Sequence, residues 1–180
     1  MPKVSPSGCP RGVAARTARW ANLQREGGVM KYSHDDEELV NQPIGYWTWA
    51  ANKTLTAYVR GRLAAIGITQ PQWWVLHQVL HSETGATRDE VISAQQANLD
   101  VGAGLAPDID LLVERKLLVL DRTGRLQITD EGRALHQRAA ETQRASRTQV
   151  HTGIPDEEYL ITLKVLQRMM RNAGGDMPPG

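Results

Sequence analysis

The chain has 180 residues and nearly balanced charge, with 21 basic and 20 acidic side chains giving a formal net charge of +1. A hydrophobic fraction of 41% and a charged fraction of 23% are typical of a chain that folds as one domain, or as one domain with an appendage. The single cysteine, Cys9, excludes a disulfide framework and metal sites of the CxxC type, and it indicates a reducing, cytoplasmic location. No apolar run reaches the roughly 18 residues that a membrane span needs, and the first residues lack the apolar core of a signal peptide.

The charge is distributed unevenly along the chain. Residues 1–30 hold five basic side chains and one acidic side chain, whereas residues 31–180 hold 16 basic and 19 acidic side chains. The first segment is interrupted by proline and glycine and has no periodic apolar pattern, so we expect a disordered basic arm there. Two alternatives follow for this arm. In the first, the arm reaches along DNA phosphates. In the second, translation begins at Met30 and the arm is not made. The second is suggested by Arg25-Glu-Gly-Gly, which is what a ribosome-binding sequence read in frame would encode.

The next segments predict helices separated by capping and breaking residues. The acidic run from Asp35 to Glu38 suits the first turn of a short helix. Apolar residues that recur at three- and four-residue steps predict a long helix over residues 44–66, which Gly67 ends. The apolar residues of that helix are Ile44, Trp47, Ala51, Leu55, Tyr58, Leu63 and Ile66. Thr69 and Pro71 open another helix. Its inward-facing residues are predicted to be Trp73, Leu76, Val79 and Leu80.

Two shorter helices and one hairpin follow. Thr87-Arg-Asp-Glu is a capping box that begins one helix, and a second helix is predicted over residues 107–116. Residues 117–121 are mostly apolar, residues 122–125 have the composition of a turn, and residues 126–129 alternate between apolar and polar. This pattern predicts one β-hairpin.

Two further helices are predicted after the hairpin. Thr129 caps a long polar helix that continues to about Val150, and Pro155 opens a last helix that ends before Gly174. The apolar stripe of the last helix consists of Leu160, Leu163, Leu166 and Met170. The predicted fold is therefore mainly α with a small β-hairpin, in which a helix-turn-helix and its hairpin are flanked by long helices. The apolar stripes of these long helices need partners, and a two-fold dimer would supply them.

Three segments of the chain carry a family resemblance. They are Ile68-Thr-Gln-Pro-Gln-Trp-Trp-Val-Leu, Leu112-Val-Glu-Arg-Lys-Leu-Leu-Val and Leu126-Gln-Ile-Thr-Asp-Glu-Gly-Arg-Ala-Leu. The last is the most specific, because it joins a strand, a threonine cap, an acidic pair, a glycine and a leucine at the exit of a wing. Over residues 41–172 the sequence resembles the MarR (multiple antibiotic resistance) winged helix-turn-helix regulators. The resemblance implies a single domain over residues 31–180, with a dimer body of about 35–66 and 130–172 and a winged helix of about 69–129.

This resemblance implies a homodimer whose two winged-helix lobes read a palindromic double-stranded DNA site. Carried over to this chain, the recognition helix lies around residues 104–116 and enters the major groove, and the wing spans residues 117–129. The basic residues expected to contact DNA are Arg88, Arg115, Lys116, Arg122 and Arg125. For each of them, a solvated charged face or a local ion pair is the alternative.

The aromatic residues are concentrated on two of the predicted helices, in a chain with five Trp and no Phe. In the resembled family these two helices line a pocket for a small effector, and indole rings suit a flat aromatic or apolar ligand. The residues expected to bind such a ligand are Tyr46, Trp47, Tyr58, Trp73, Trp74 and His77. The alternative is that these rings only pack the joint between the lobe and the dimer body.

The histidines offer a weaker hypothesis. His77 and His81 lie four residues apart, so both rings could face one metal ion, with Glu83 as a candidate third ligand. Two histidines without an obvious third ligand favour a hydrogen-bonding or pH-sensitive role, and we expect no metal site. The other histidines lie on polar segments and are expected to face solvent; they are His34, His136 and His151. Because the sequence has no phosphate-binding glycine loop and no GxSxG motif, neither an enzyme activity nor a cofactor is expected.

Two hypotheses about function remain. The resemblance implies a sequence-specific transcriptional regulator, a repressor that a small effector releases from DNA. The local charge supports a different reading, because five basic and seven acidic side chains lie between Thr87 and Thr129, and DNA affinity depends on basic residues. In that reading the protein is a winged-helix dimer that has lost operator binding and acts as a ligand-binding or protein-interaction module.

Overall fold

A computed structural model describes residues 31–96 and 104–176. The predicted basic arm, residues 1–30, lies outside the described residues. The chain divides into two compact units, one ending at Gly45 and the other beginning at Tyr46. In the first unit the four-residue helix α1 (Asp36–Leu39) is capped by Asp35, whose side chain accepts a hydrogen bond from the backbone N–H of Glu38 at 2.9 Å.

The described residues form seven helices and one antiparallel sheet of two strands. The elements after α1 are α2 (Ile44–Ala64), α3 (Gln70–Leu80), α4 (Arg88–Gln96), α5 (Leu105–Glu114), β1 (Leu118–Leu120), β2 (Leu126–Ile128), α6 (Asp130–Val150) and α7 (Asp156–Asn172). The predicted mainly α fold with one small hairpin is therefore confirmed. Helix α5 begins two residues earlier than predicted, because Pro107 is tolerated in the first turn, where its missing N–H has no helical acceptor.

The helix ends follow from local sequence. Thr69, Thr87 and Thr129 each accept a hydrogen bond from the backbone N–H three residues later, at 3.2, 3.2 and 3.0 Å. In the first two cases the later side chain accepts from the threonine N–H in return, which completes a capping box. Gly67 adopts a φ of 77°, a conformation that glycine tolerates best, where the chain turns from α2 into α3. These contacts fix where α3, α4 and α6 begin.

Helix α3 lies at the centre of the core. It packs against α4, α5, α6 and β2, and its residues Leu76 and Val79 are buried as predicted. Trp73 and Leu80, also predicted to point inward, are partly buried and pack against the core. The other large buried residues are Leu63, Ile68, Val75, Val91, Leu105, Ile109, Leu112, Leu117, Leu118, Leu126, Ile128 and Leu135. A continuous apolar core thus holds the two short helices and the hairpin around α3.

The hairpin is attached to the segment that precedes α4. Its register pairs Leu118 with Ile128, Val119 with Gln127 and Leu120 with Leu126. Ala86 forms an isolated antiparallel bridge with Leu126, through N···O distances of 3.2 and 2.8 Å. This bridge fixes the position of the hairpin relative to α4 and α5.

The last helix presents apolar side chains at the surface. Leu160, Leu163 and Met170 of α7 are 49%, 39% and 38% exposed, and Leu166 is half-buried. Helix α2 has a similar surface, with Leu55 42% exposed. None of the helices in the described ranges is long and apolar enough to cross a membrane.

Candidate functional site

The turn of the hairpin is organised by one carboxylate. Asp121 Oδ1 accepts hydrogen bonds from the backbone N–H and the hydroxyl of Thr123 and from the backbone N–H of Arg125, at 2.8, 2.7 and 3.0 Å. Its other oxygen accepts from Gln127 Nε2 at 3.2 Å. These donors, the hydroxyl of Thr123 first among them, hold the pKa of Asp121 well below its usual range. The carboxylate is therefore a permanent anion that shapes the turn.

Arg122 and Arg125 flank this turn but have different surroundings. Arg122 is exposed and makes no hydrogen bond or ion pair with the described part of the chain. Arg125 donates to the carbonyl oxygens of Thr84 and Gly85, at 3.2 and 2.7 Å at closest, and to Glu90 Oε2 at 2.9 Å. The backbone N–H of Thr87 lowers the pKa of Glu90 most, and Arg125 lowers it further. Arg125 thus ties β2 to α4, whereas the charge of Arg122 remains available.

The other three predicted basic residues lie around α4 and α5. Arg88 forms a hydrogen-bonded ion pair with Asp110 of α5. Arg115 donates to the carbonyl oxygen of Gly67 at 2.9 Å, and Lys116 is exposed in a left-handed conformation with φ of 58°. Of the five basic residues expected to contact DNA, three therefore have partners within the protein itself.

The outer face of α5 is acidic and apolar. Its exposed residues are Pro107, Asp110, Leu111 and Glu114. Asp108, on the same helix, faces inward and accepts from Gln72 Nε2 at 3.1 Å, which joins α5 to the start of α3. The recognition helix implied by the family resemblance consequently exposes two carboxylates, and Arg88 neutralises one of them.

The aromatic residues form two groups. On α2, Tyr46 contacts Trp47 and Trp49 with ring centroids 5.6 and 6.2 Å apart, and the three rings are 56%, 37% and 58% exposed. Tyr58 and Trp74 are half-buried. The second group is centred on Trp73 of α3. Among the described residues, ring contacts link members within each group but none links Tyr46 or Trp47 to Trp73.

The second group contains three histidines beside Trp73. His136 of α6 stacks on the indole with planes 8° apart and centroids at 6.1 Å. His77 Nδ1 lies 3.2 Å from His136 Nε2, and the rings of His77 and His81 lie 4.2 Å apart. His81 Nδ1 donates to the carbonyl oxygen of His77 at 2.8 Å. Within the described residues, the indole N–H of Trp73 is the one buried side-chain polar atom without a hydrogen-bond partner.

The prediction that His136 faces solvent is wrong. It is 9% exposed, because Leu135, His136 and Ala139 share the buried side of α6. Removal from water lowers the pKa of His136, and neighbouring His77 and His81 lower it further. The pKa of His77 is lowered in the same way, by loss of solvent and then by His81. The apolar neighbours of His136 at helical spacing were the available sequence signal.

No group of three or more metal-ligating side chains in the described residues has an arrangement that could hold a metal ion. Two open cavities lie elsewhere, of about 380 Å³ beside Lys164, Arg168 and Arg171 on α7 and of about 450 Å³ beside Arg147 and His151. The aromatic residues of the two groups line neither cavity.

Comparison with known proteins identifies the fold. No family model and no curated protein matches the sequence. Among solved structures, the MarR family protein Rv2887 of Mycobacterium tuberculosis in complex with DNA is similar over 72% of this chain and 98% of its own, at 22% identity and a TM-score of 0.56. The reduced form of MarR from E. coli matches over 74% and 98%, at 18% identity and a TM-score of 0.57. CouR from Rhodococcus jostii RHA1 bound to p-coumaroyl-CoA matches over 71% and 92%, at 25% identity and a TM-score of 0.55.

Each of these structures is matched over nearly its whole length. Their similarity confirms the resemblance in fold that the sequence indicated. The chain has the winged-helix fold of the MarR family of transcriptional regulators.

Proposed function

We propose that the protein is a cytoplasmic, sequence-specific DNA-binding regulator, a repressor that acts as a homodimer on a palindromic operator. The observation that carries this proposal is the winged-helix lobe, in which Asp121 fixes a turn that leaves Arg122 exposed at its tip. In winged-helix proteins this part of the molecule reaches the DNA backbone or the minor groove. The related structure of Rv2887 was solved with DNA.

The dimer is proposed because the long helices expose apolar residues. Leu160, Leu163 and Met170 form a surface stripe on α7, and Leu55 lies exposed on α2. Burial of such side chains contributes roughly 25 cal/mol for each Å² of apolar surface removed from water. A two-fold dimer buries the same stripe on both copies, with a body of about residues 35–66 and 130–172. Two lobes then face successive turns of the duplex.

The basic residues would contribute unequally to DNA binding. Arg122 and Lys116 have no internal partner among the described residues, so they can neutralise phosphates without losing a bond. Arg88 would have to leave Asp110, and Arg125 would have to leave Glu90, before either could bind a phosphate. Each would therefore gain less binding free energy from a phosphate than an arginine without an internal partner. Arg115 would contribute to DNA binding mainly by holding α5 in position, rather than by contacting a phosphate itself.

Replacement of Arg122 by alanine is expected to weaken binding to all DNA sequences alike. One phosphate contact fewer lowers the slope of log affinity against log salt concentration by about 0.9. The melting temperature should not change, because the side chain has no internal partner. Arg125→Ala should instead destabilise the lobe by about 1–2 kcal/mol, since it removes bonds to two carbonyl groups and Glu90. Fluorescence anisotropy with a labelled duplex, at several salt concentrations, measures both variants.

Arg138→Ala is the matched control, because it removes one exposed charge from α6 without touching the hairpin. An Arg122→Ala protein with the wild-type affinity and salt slope would exclude the hairpin from the DNA interface.

We further propose that a flat aromatic ligand binds beside Trp73 and releases the DNA. A buried indole N–H without an acceptor is uncommon, and an acceptor atom on a ligand would satisfy it. The residues proposed to contact the ligand are Tyr46, Trp47, Tyr58, Trp73, Trp74 and His77. The structure of CouR was solved with p-coumaroyl-CoA bound.

Trp73→Phe tests that ligand contact, because it retains an aromatic ring and removes the N–H donor. For any aromatic compound whose binding quenches tryptophan fluorescence, the dissociation constant should rise about tenfold, as expected for one lost hydrogen bond. Affinity of the ligand-free protein for DNA should not change. Equal ligand affinity in Trp73→Phe and the wild type would place the ligand elsewhere.

A second candidate function is favoured by the carboxylates of the lobe. Asp110 and Glu90 pair with two of the basic residues, and Asp110 and Glu114 occupy the outer face of α5. A protein of this kind would be a ligand-binding or protein-interaction module without operator binding. A mobility-shift experiment at low salt, with DNA from upstream of the protein's own gene, separates the two. Retardation by the folded dimer supports the regulator, and its absence supports the module.

A further inference from the structure

The contact between α3 and α6 is made by titratable rings. His77 belongs to α3, His136 belongs to α6, and 3.2 Å separates Nδ1 of the first from Nε2 of the second. Trp73 stacks on His136 from the α3 side, so the two helices meet through a layer of flat rings. The residues are 59 positions apart in the chain, and the contact is therefore a tertiary one.

The hydrogen bond within this pair depends on how many protons it holds. When both rings are neutral, one nitrogen donates its proton and the other accepts. With one added proton the bond persists, because the remaining neutral ring still offers a lone pair. With two added protons both facing nitrogens carry hydrogen, so neither can accept and the bond is lost. Two positive rings at this distance also repel each other.

The surroundings do not compensate such a charge. The groups that act on the pKa values of His77 and His136 are other histidines, with His81 common to both. Along α3 the titratable side chain is His77, and β2 has none. On α6, exposed Arg133 lies one turn before His136 and adds positive charge rather than negative.

Most charged residues of the other packed helices have partners away from the ring layer. From the α5 side, Asp108 and Arg115 meet α3 at Gln72, near its first turn. On α4 the charged residues are Arg88, Asp89 and Glu90, of which Arg88 pairs with Asp110 and Glu90 pairs with Arg125. Protonation of the ring layer is therefore resisted by the fold.

We propose that His77, His81 and His136 form a proton-sensitive contact, in which uptake of a second proton breaks the bond between α3 and α6. The contact responds to acidification from neutral pH to below the ordinary histidine pKa of about 6.5. Helix α6 follows directly from β2 through the Thr129 cap, so the contact lies on the helix that leaves the hairpin. The contact is a property of the protein alone, so it does not depend on the proposed function.

The sign of the pH dependence follows from the lowered pKa values. In the unfolded chain both histidines bind protons near their ordinary pKa of 6.5, while the folded state resists protonation. The stabilising contribution is complete above about pH 6.5 and is lost as the pH falls through the lowered pKa values of the folded state. In that interval, each of the two histidines raises the unfolding equilibrium constant by up to about tenfold per pH unit.

Chemical denaturation of the full-length protein at pH 7.5 and pH 5.5 tests the proposal. We expect the unfolding equilibrium constant of the wild type to rise strongly on acidification. His136→Gln, which keeps a hydrogen-bonding side chain but cannot titrate, should show a rise that is smaller by up to about tenfold. His34→Gln, which removes an exposed histidine, should behave like the wild type. Equal changes in all three proteins would overturn the proposal.

A second measurement needs no variant at the contact and applies even if His136→Gln does not fold. Proton NMR of the wild type follows the ring C–H signals during an acid titration. The signals of His77 and His136 should titrate below about pH 6.5, and protonation of one ring should shift the signal of the other. Independent titration of both rings at their ordinary pKa would contradict the proposal.

Discussion

Leu163→Glu is expected to convert the proposed homodimer into a monomer. Leu163 is 39% exposed and lies between Leu160 and Met170 on the apolar stripe of α7. In a dimer that buries this stripe, the two-fold axis brings two new carboxylates into an apolar interface, and a buried unpaired charge costs several kcal/mol. The dimer dissociation constant should therefore rise by roughly 1,000-fold or more. Sedimentation equilibrium at micromolar protein concentration measures the change.

Ser93→Glu is the matched control for that experiment, since it adds the same charge at an exposed position of α4. It should leave the protein dimeric. If the wild type is a monomer at micromolar concentration, or if Leu163→Glu is still a dimer, the α7 stripe is not the dimer interface. Loss of DNA binding in Leu163→Glu should accompany loss of the dimer, because one lobe alone contacts half of a palindromic site.

Gly132→Ala is expected to produce a large loss of stability for the addition of a single methyl group. Gly132 is buried in the first turn of α6, and a Cβ there would overlap the carbonyl oxygen of Leu117 and lie 2.9 Å from Cγ1 of Ile128. The backbone cannot withdraw easily, since Thr129 holds this turn through bonds to Gly132 and to Leu117. We expect a loss of about 3 kcal/mol and a fall in Tm of about 10 °C. Thermal unfolding followed by circular dichroism measures it.

Gly61→Ala is the control for this substitution. Gly61 lies within α2, and a Cβ there would meet nothing within 4 Å. Alanine should raise the helix stability at that position by roughly 0.5–1 kcal/mol. A Gly132→Ala protein as stable as the wild type would show that the junction between hairpin and α6 is looser than the packing indicates.

The fold was predictable because its boundaries are local. Thr69, Thr87 and Thr129 each form the cap that their sequence context predicts, since a cap involves residues only three positions apart. Gly67 ends the turn after α2 for the same kind of reason. Helical periodicity placed the buried residues of α3 and α5 because one apolar face of each helix meets the core.

The surroundings of the candidate site residues were much less predictable, because they depend on residues far apart in sequence. Arg88 meets Asp110 22 residues later, and Arg125 meets Glu90 35 residues earlier. His136 was assigned to solvent because α6 is polar along most of its length, yet it stacks on Trp73. Whether a given basic side chain is free or paired depends on the tertiary structure, so it cannot be predicted from the charge composition alone.

We propose that this winged-helix protein binds DNA as a dimer with two lobes. The most direct measurement is a footprint on DNA from upstream of its own gene, carried out at low salt with the folded protein. We expect a protected region with two equivalent halves centred roughly 10 base pairs apart, or a multiple of that spacing, on a palindromic sequence. Protection should disappear in Leu163→Glu. An unprotected duplex, at a protein concentration where the wild type is a folded dimer, would contradict the claim.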